Sequence, residues 1–142
     1  LSLEWGSLTA FINNKGMLHR DISPTNVLIK FYDDLKIIKI SDFGLVKRKD
    51  SILTSKNSEI KGSFNDPKLE MIGFDKYAIE HEIYALSRLL NFVLTGNTQI
   101  ISDPKNKFKG FIEKGISDDL RERYSDVVEM HNVFNQIVEK NE

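Results

Sequence analysis

The sequence predicts a mainly α fold with a small β-hairpin, and three observations carry that expectation. Apolar residues recur at helical spacing in the first segment, over 79–96 and again beyond Ser125. Two β-branched runs, Val27-Leu28-Ile29 and residues 36–40, flank the polar turn Tyr32-Asp33-Asp34. With 142 residues, 40% apolar and 10% aromatic, the chain is long enough for one core, so a single domain over residues 1–142 is expected.

Taken in order, Leu1, Trp5, Leu8, Phe11 and Ile12 share one helical face, and Asn13-Asn14-Lys15-Gly16 supplies a stop. This spacing predicts a helix ending near Asn14, with Trp5 in the core. The hairpin follows. HRDISPTN, residues 19–26, stands directly before its first strand, and SDFG, residues 41–44, directly after its second. Residues 47–66 are polar apart from Ile52, Leu53, Ile60 and Phe64, and a loop of that length is uncommon unless it is functional. The strongest helical stripe is Ile79, Ile83, Leu86, Leu90 and Val93, widened by Ala85, Leu89 and Phe92 and closed at Thr95-Gly96. A helix apolar on most sides is normally buried. Residues 97–115 read as loop, with Pro104 and a solvated basic face at Lys105, Lys107 and Lys109. The last helix begins near Ser125 as N-cap, with Asp126 in its first turn and Val127, Met130, Phe134 and Ile137 on one face. Tyr77 and Tyr84 read as packing residues.

A formal net charge of −1 gives no basic field for nucleic acid and no single-sign bias for a membrane surface. No apolar run approaches the roughly 18 residues of a membrane span, and the first residues lack the pattern of a secretory signal. The absence of cysteine excludes disulfides, thiolate metal sites and a cysteine nucleophile. It is compatible with a reducing cytosol, so a cytoplasmic location is expected. The start at Leu1 in place of Met suggests a fragment or a processed or trimmed product.

HRD with Asn five residues after the Asp, then DFG after a hairpin-sized gap, is a two-part signature. In the order helix, HRD loop, hairpin, DFG, polar loop, buried helix and final helix, the chain resembles the C-terminal lobe of eukaryotic-like Ser/Thr protein kinases over nearly its whole length. The resemblance implies phosphoryl transfer from ATP to a protein Ser or Thr hydroxyl, with Mg2+. Asp21 would accept or orient the hydroxyl proton, Asn26 and Asp42 would bind ATP and magnesium, and Gly44 would let the loop turn. Residues 42–70 would form an activation-loop-like segment. Within it Ser51, Thr54, Ser55, Ser58 and Ser63 are candidate phosphate acceptors, Thr54 and Ser55 foremost, read by Arg20 through charge-assisted hydrogen bonds. His19 and Phe43 would be structural, packing with the DFG residues.

Further along, HEIYALSRLLNFVLTG is similar to the family's buried central helix, with Glu82 where the family has the Asp that holds the backbone of the HRD loop. Near the C-terminus, KGISDDLRERYSDVVEM resembles the end of bacterial Ser/Thr kinase lobes and places a buried Arg at Arg123. Its family partner is the Glu of the APE motif. An ungapped alignment of GSFNDPKLE makes that acid Glu70, whereas matching Pro67 to the motif proline puts Lys68 there; Glu70 is preferred, because Lys would leave the Arg buried without an acid.

Two departures bear on activity. Ser23 stands where Ser/Thr kinases usually carry Lys, and losing a preorganised cation commonly costs around 10² to 10³ in rate. A fungal kinase-like group with a similar HRDIS loop also carries Ser there. The glycine-rich phosphate loop, the VAIK-type Lys and the hinge sequence do not occur in these 142 residues. An N-terminal lobe in cis or in trans is therefore an expected partner, beside the protein substrate. The alternative is a pseudokinase or kinase-derived interaction scaffold. A small-molecule kinase of similar fold is a third reading, against which Arg20 and Arg123 count, since those enzymes usually have HGD and lack the final Arg.

Overall fold

A computed structural model of the chain describes residues 2–6, 18–40 and 64–141. Strand β1 (Ser2–Glu4) runs parallel to β3 (Leu35–Ile40), and β2 (Val27–Tyr32) runs antiparallel to β3 on its other side, giving the sheet order β1-β3-β2. The β2–β3 register pairs Val27 with Ile40 and Tyr32 with Leu35, so Asp33 and Asp34 alone make the turn. Asp33 takes a positive φ of 41°, a conformation that Asp tolerates better than most side chains because its short polar group bonds locally. The hairpin is the one read from the β-branched runs. The partner β1 is not: the spacing that predicts a helix from Leu1 meets a strand over Ser2–Glu4, because three residues laid beside an existing strand gain ladder bonds that no short helix offers. Residues 7–17 of that expected helix lie outside the described residues. Trp5 is fully buried, as expected.

Among the described residues four α-helices follow: α1 (Lys68–Ile72), α2 (Ile79–Thr95), α3 (Lys109–Gly115) and α4 (Val127–Lys140). Helix α2 is the axis of the core. Ile83, Ala85, Leu86, Leu89, Leu90 and Val93 are all buried along it, and Gly96 ends it in the left-handed region at φ 79° with its N–H on Phe92 O. Ile22 and Ile38 from the hairpin side, Phe108 just before α3, Phe111 and Ile112 from α3, and Val127, Met130 and Phe134 from α4 belong to the same buried cluster as the face of α2. Phe108 and Phe134 stack with centroids 4.9 Å apart, and Trp5 meets Phe134 edge-on at 5.6 Å. A smaller cluster of Leu69, Phe74 and Tyr77 closes on Leu18 beside the HRD segment.

Three sequence expectations are corrected here. Residues 97–115 are not all loop, since the buried Phe111 and Ile112 lie on α3, a seven-residue helix too short to show a period in the sequence. Gly115 closes that helix where an added Cβ would stand 1.8 Å from Ser87 Oγ, so α3 and α2 approach to a distance only glycine permits. The cap of α4 is Asp126 and not Ser125: Asp126 Oδ1 accepts from Glu129 N at 2.8 Å, while Glu129 Oε2 accepts from Ser125 N and Oγ. Finally, the polar run to residue 66 ends inside the core, with Phe64, Asn65 and Asp66 buried.

Candidate active site

The loop of residues 19–26 hangs from α2. Glu82, fully buried in the first turn of that helix, accepts the backbone N–H of His19 on Oε2 and that of Arg20 on Oε1 at 3.3 Å. These bonds cross more than sixty positions of sequence and tie the HRD segment to the most deeply packed helix. Burial pushes the Glu82 carboxyl up to about 7, opposed by its hydrogen bonds from Tyr77, Arg20 and His19 and by the Arg20 charge. Tyr77 donates its hydroxyl to Glu82 Oε1 at 2.9 Å, and burial first, then the Glu82 carboxylate, raises the phenol well above its ordinary value.

Arg20 is buried and takes φ 72°, a left-handed conformation that costs an L-residue with a Cβ roughly 1–2 kcal/mol. Its guanidinium lies 4.4 Å from the centroid of the Phe74 ring, which offsets part of its desolvation. That desolvation is the main cause lowering its pKa, countered by Tyr77 and Glu82. His19 Nδ1 accepts the Asp21 N–H at 3.2 Å, which assigns the ring proton to Nε2 when the imidazole is neutral.

Past Ile22, which is fully buried, the chain turns through Pro24–Asn26. Proline at the start of that turn brings a φ already suited to it. Asn26 Nδ2 donates both to Asp21 O at 2.9 Å and to Asp21 Oδ2 at 2.8 Å. One amide thereby fixes backbone and carboxylate of Asp21 together, and the planar amide turns Asn26 Oδ1 away from them. Ser23 is buried and its hydroxyl pairs with Thr25 Oγ1 at 2.8 Å.

On the opposite flank, Arg123 does meet a buried acid, but the acid is Asp66 and not Glu70. Arg123 Nη1 lies 2.7 Å from Asp66 Oδ2, while Glu70 faces solvent from α1. Asp66 is placed for this because it stands two residues before the first residue of α1: its Oδ1 takes the Lys68 N–H at 3.0 Å, leaving Oδ2 directed at the guanidinium. Arg123 also donates to Glu80 O at 2.9 Å and Ser117 O at 2.8 Å, so one side chain joins the start of α2 to the turns on either side. Tyr84 packs under it, its ring centroid 5.0 Å from the guanidinium.

The structure thus brings His19, Arg20, Asp21, Asn26 and Glu82 into one assembly and sets Arg123 apart from it. Asp42, Phe43, Gly44, Thr54 and Ser55, with the other hydroxyls of the polar run, lie outside the described residues. Among the described residues no three His, Asp or Glu side chains gather as a metal site. Two residues escaped the sequence reading. Asp66 is signalled only by its place before Pro67, and Tyr77, read as packing, also bonds to Glu82 five residues on.

The family model described as protein kinase domain matches residues 7–140. The chain belongs to the protein kinase family. Members of this family use ATP with Mg2+ and act on proteins. Among relatives of this kinase-family chain, a light-sensor protein kinase of Ceratodon purpureus is 26% identical over 133 residues, covering 78% of this chain and 10% of that one. The probable serine/threonine-protein kinase PknB of Lactococcus lactis is 23% identical over 141 residues, 83% of this chain and 22% of the relative. The solved kinase domain of Mycobacterium tuberculosis PknI superposes with a TM-score of 0.60 at 19% identity, over 93% of this chain and 51% of that domain. The shared fold is that of a kinase domain, and the chain spans about half of its length. No helix among the described residues is long and apolar enough to cross a membrane.

Proposed function

We propose that this chain is the C-terminal, catalytic lobe of a protein kinase that transfers the γ-phosphoryl group of ATP to a Ser or Thr hydroxyl of a protein. The observation that carries this reading is the clamp between Asn26 and Asp21, with Nδ2 on both the carbonyl and the carboxylate of Asp21. A phosphoryl acceptor needs a carboxylate fixed beside its hydroxyl, and this clamp fixes one. Asp21 orients the hydroxyl and takes its proton. Asn26 holds Asp21 with its nitrogen and presents a hard carbonyl oxygen on the other side of the amide, a donor of the type that Mg2+ accepts. With Asp42, Asn26 would hold the ion, which when bound neutralises charge on the phosphates. The glycine-rich loop and the Lys–Glu pair on which kinases depend would come from other residues, in the same polypeptide or in a partner.

Ser23 favours a second reading, a kinase-derived scaffold, because its buried hydroxyl bonded to Thr25 occupies the position of the usual cation. The full-length gene product separates the two. Magnesium-dependent ATP binding by calorimetry, lost in Asp42→Ala, together with transfer to a generic protein acceptor that falls by about 10² or more in Asp21→Asn, is the expected outcome. No binding at millimolar ATP would reject the enzyme in favour of the scaffold.

A further inference from the structure

We propose that Tyr77 is a positioning residue of the catalytic loop: its hydroxyl, by donating to Glu82 Oε1, orients the carboxylate from which the backbone of His19 and Arg20 hangs, and so sets where Asp21 stands. This rests on the phosphoryl-transfer reading for its functional meaning, while the contact itself does not.

The allocation of oxygens carries the argument. Among the described residues, Oε2 of Glu82 accepts from His19 N, whereas Oε1 accepts from both Arg20 N at 3.3 Å and Tyr77 Oη at 2.9 Å. The phenol is the shorter of the two contacts on Oε1, so it is the stronger restraint on rotation of the carboxylate about its own bond. Tyr77 and Glu82 are both buried, so a lost partner is not replaced by water. The phenol is in turn held rigidly. Its ring lies 5.6 Å from Phe74 and 5.6 Å from His81, and its backbone N–H closes the turn on Phe74 O. Arg20, next in the chain to Asp21, is kept in its left-handed conformation by the same carboxylate.

The groups that face this site come from each element packed on it. The loop contributes the His19 backbone and Arg20; α2 contributes the His81 ring; and Asp66 acts on Tyr77 from the segment before α1. Arg20 is the cation among them, and it favours the Glu82 carboxylate as Tyr77 does. Removing the phenol therefore makes Glu82 harder to ionise, and the anionic acceptor that the loop needs forms only at higher pH.

The test uses the full-length protein with Tyr77→Phe, which keeps both ring contacts and deletes only the hydroxyl, and with Tyr84→Phe as a tyrosine of the same region outside the network. In Tyr77→Phe, kcat is expected to fall about tenfold with KM unchanged, and the acid limb of the kcat–pH profile to move to higher pH. Amide hydrogen exchange of residues 18–22 is expected to quicken about tenfold, with Tyr84→Phe like wild type in both measurements. Wild-type exchange at residues 18–22 in Tyr77→Phe would overturn the proposal. A full-length wild type with no transferase activity would sink the phosphoryl-transfer reading instead, and the exchange measurement would still decide the role of Tyr77.

Discussion

Glu82 is raised from 4.5 to about 7 by burial, and the sign of its effect on stability follows from that direction. Below the ordinary carboxylate value both the folded and the unfolded chain hold the proton. As pH rises the unfolded chain releases it first, so the native state loses stability between about 4.5 and about 7 and is flat above. Glu82→Gln removes this titration, and urea midpoints across that window are expected to show the variant gaining on wild type as pH rises. A parallel pH dependence of the two proteins would show that Glu82 does not titrate there. Wild type thus accepts a stability loss at neutral pH to present an anionic acceptor to two loop N–H groups. Asp66 and Arg123 make the second residue-scale case. Asp66→Asn leaves a buried guanidinium without its carboxylate and is expected to cost roughly 3–5 kcal/mol in denaturant unfolding. Glu70→Gln, at an exposed position, is expected to stay within about 0.5 kcal/mol of wild type. The reverse order would restore Glu70 as the partner.

Elements differ in how plainly they announce themselves. Helix α2 was legible because seventeen residues give more than four turns, and its buried face repeats in each. The hairpin was legible because β-branched runs and an Asp-Asp turn coincide. Helix α3 has seven residues, two of them glycine, and the reason for its second glycine lies in another element. No pattern along the chain could show that Gly115 faces Ser87. Gly115→Ala is expected to destabilise by about 1–3 kcal/mol through that overlap, measured by denaturation, and Gly115→Ala combined with Ser87→Ala to recover part of the loss. Non-recovery would place the strain elsewhere. The start of α4 was misplaced by one residue because Ser125 and Asp126 are both good caps; the choice between them is made by Glu129, which reaches back to Ser125 while Asp126 takes its N–H.

At the scale of the molecule, the fold hangs the HRD loop from the helix that carries the most buried residues of the core. The kinase signature could be read in the sequence because phosphoryl transfer requires particular residue types at fixed separations, whatever surrounds them. Their support was legible only in part: the family resemblance put Glu82, sixty-three positions away, on the HRD backbone, whereas the acid of Arg123, expected at Glu70, is Asp66 across fifty-seven positions. Partners at such separations are chosen by packing, which local spacing does not encode.

The β2–β3 ladder has its Val27–Ile40 rung at the end next to the HRD segment and its two-residue turn at the other, where Tyr32 pairs with Leu35. Extra chain at Asp33 and Asp34 leaves every rung in place, whereas one residue inserted within either strand turns all later side chains to the opposite face. The hairpin tip is therefore a natural port for engineering. A short fluorescent-labelling tag placed between Asp33 and Asp34 is expected to leave the unfolding midpoint unchanged and give a reporter anchored to the hairpin that follows the HRD segment; a lowered midpoint would show that the tip carries load.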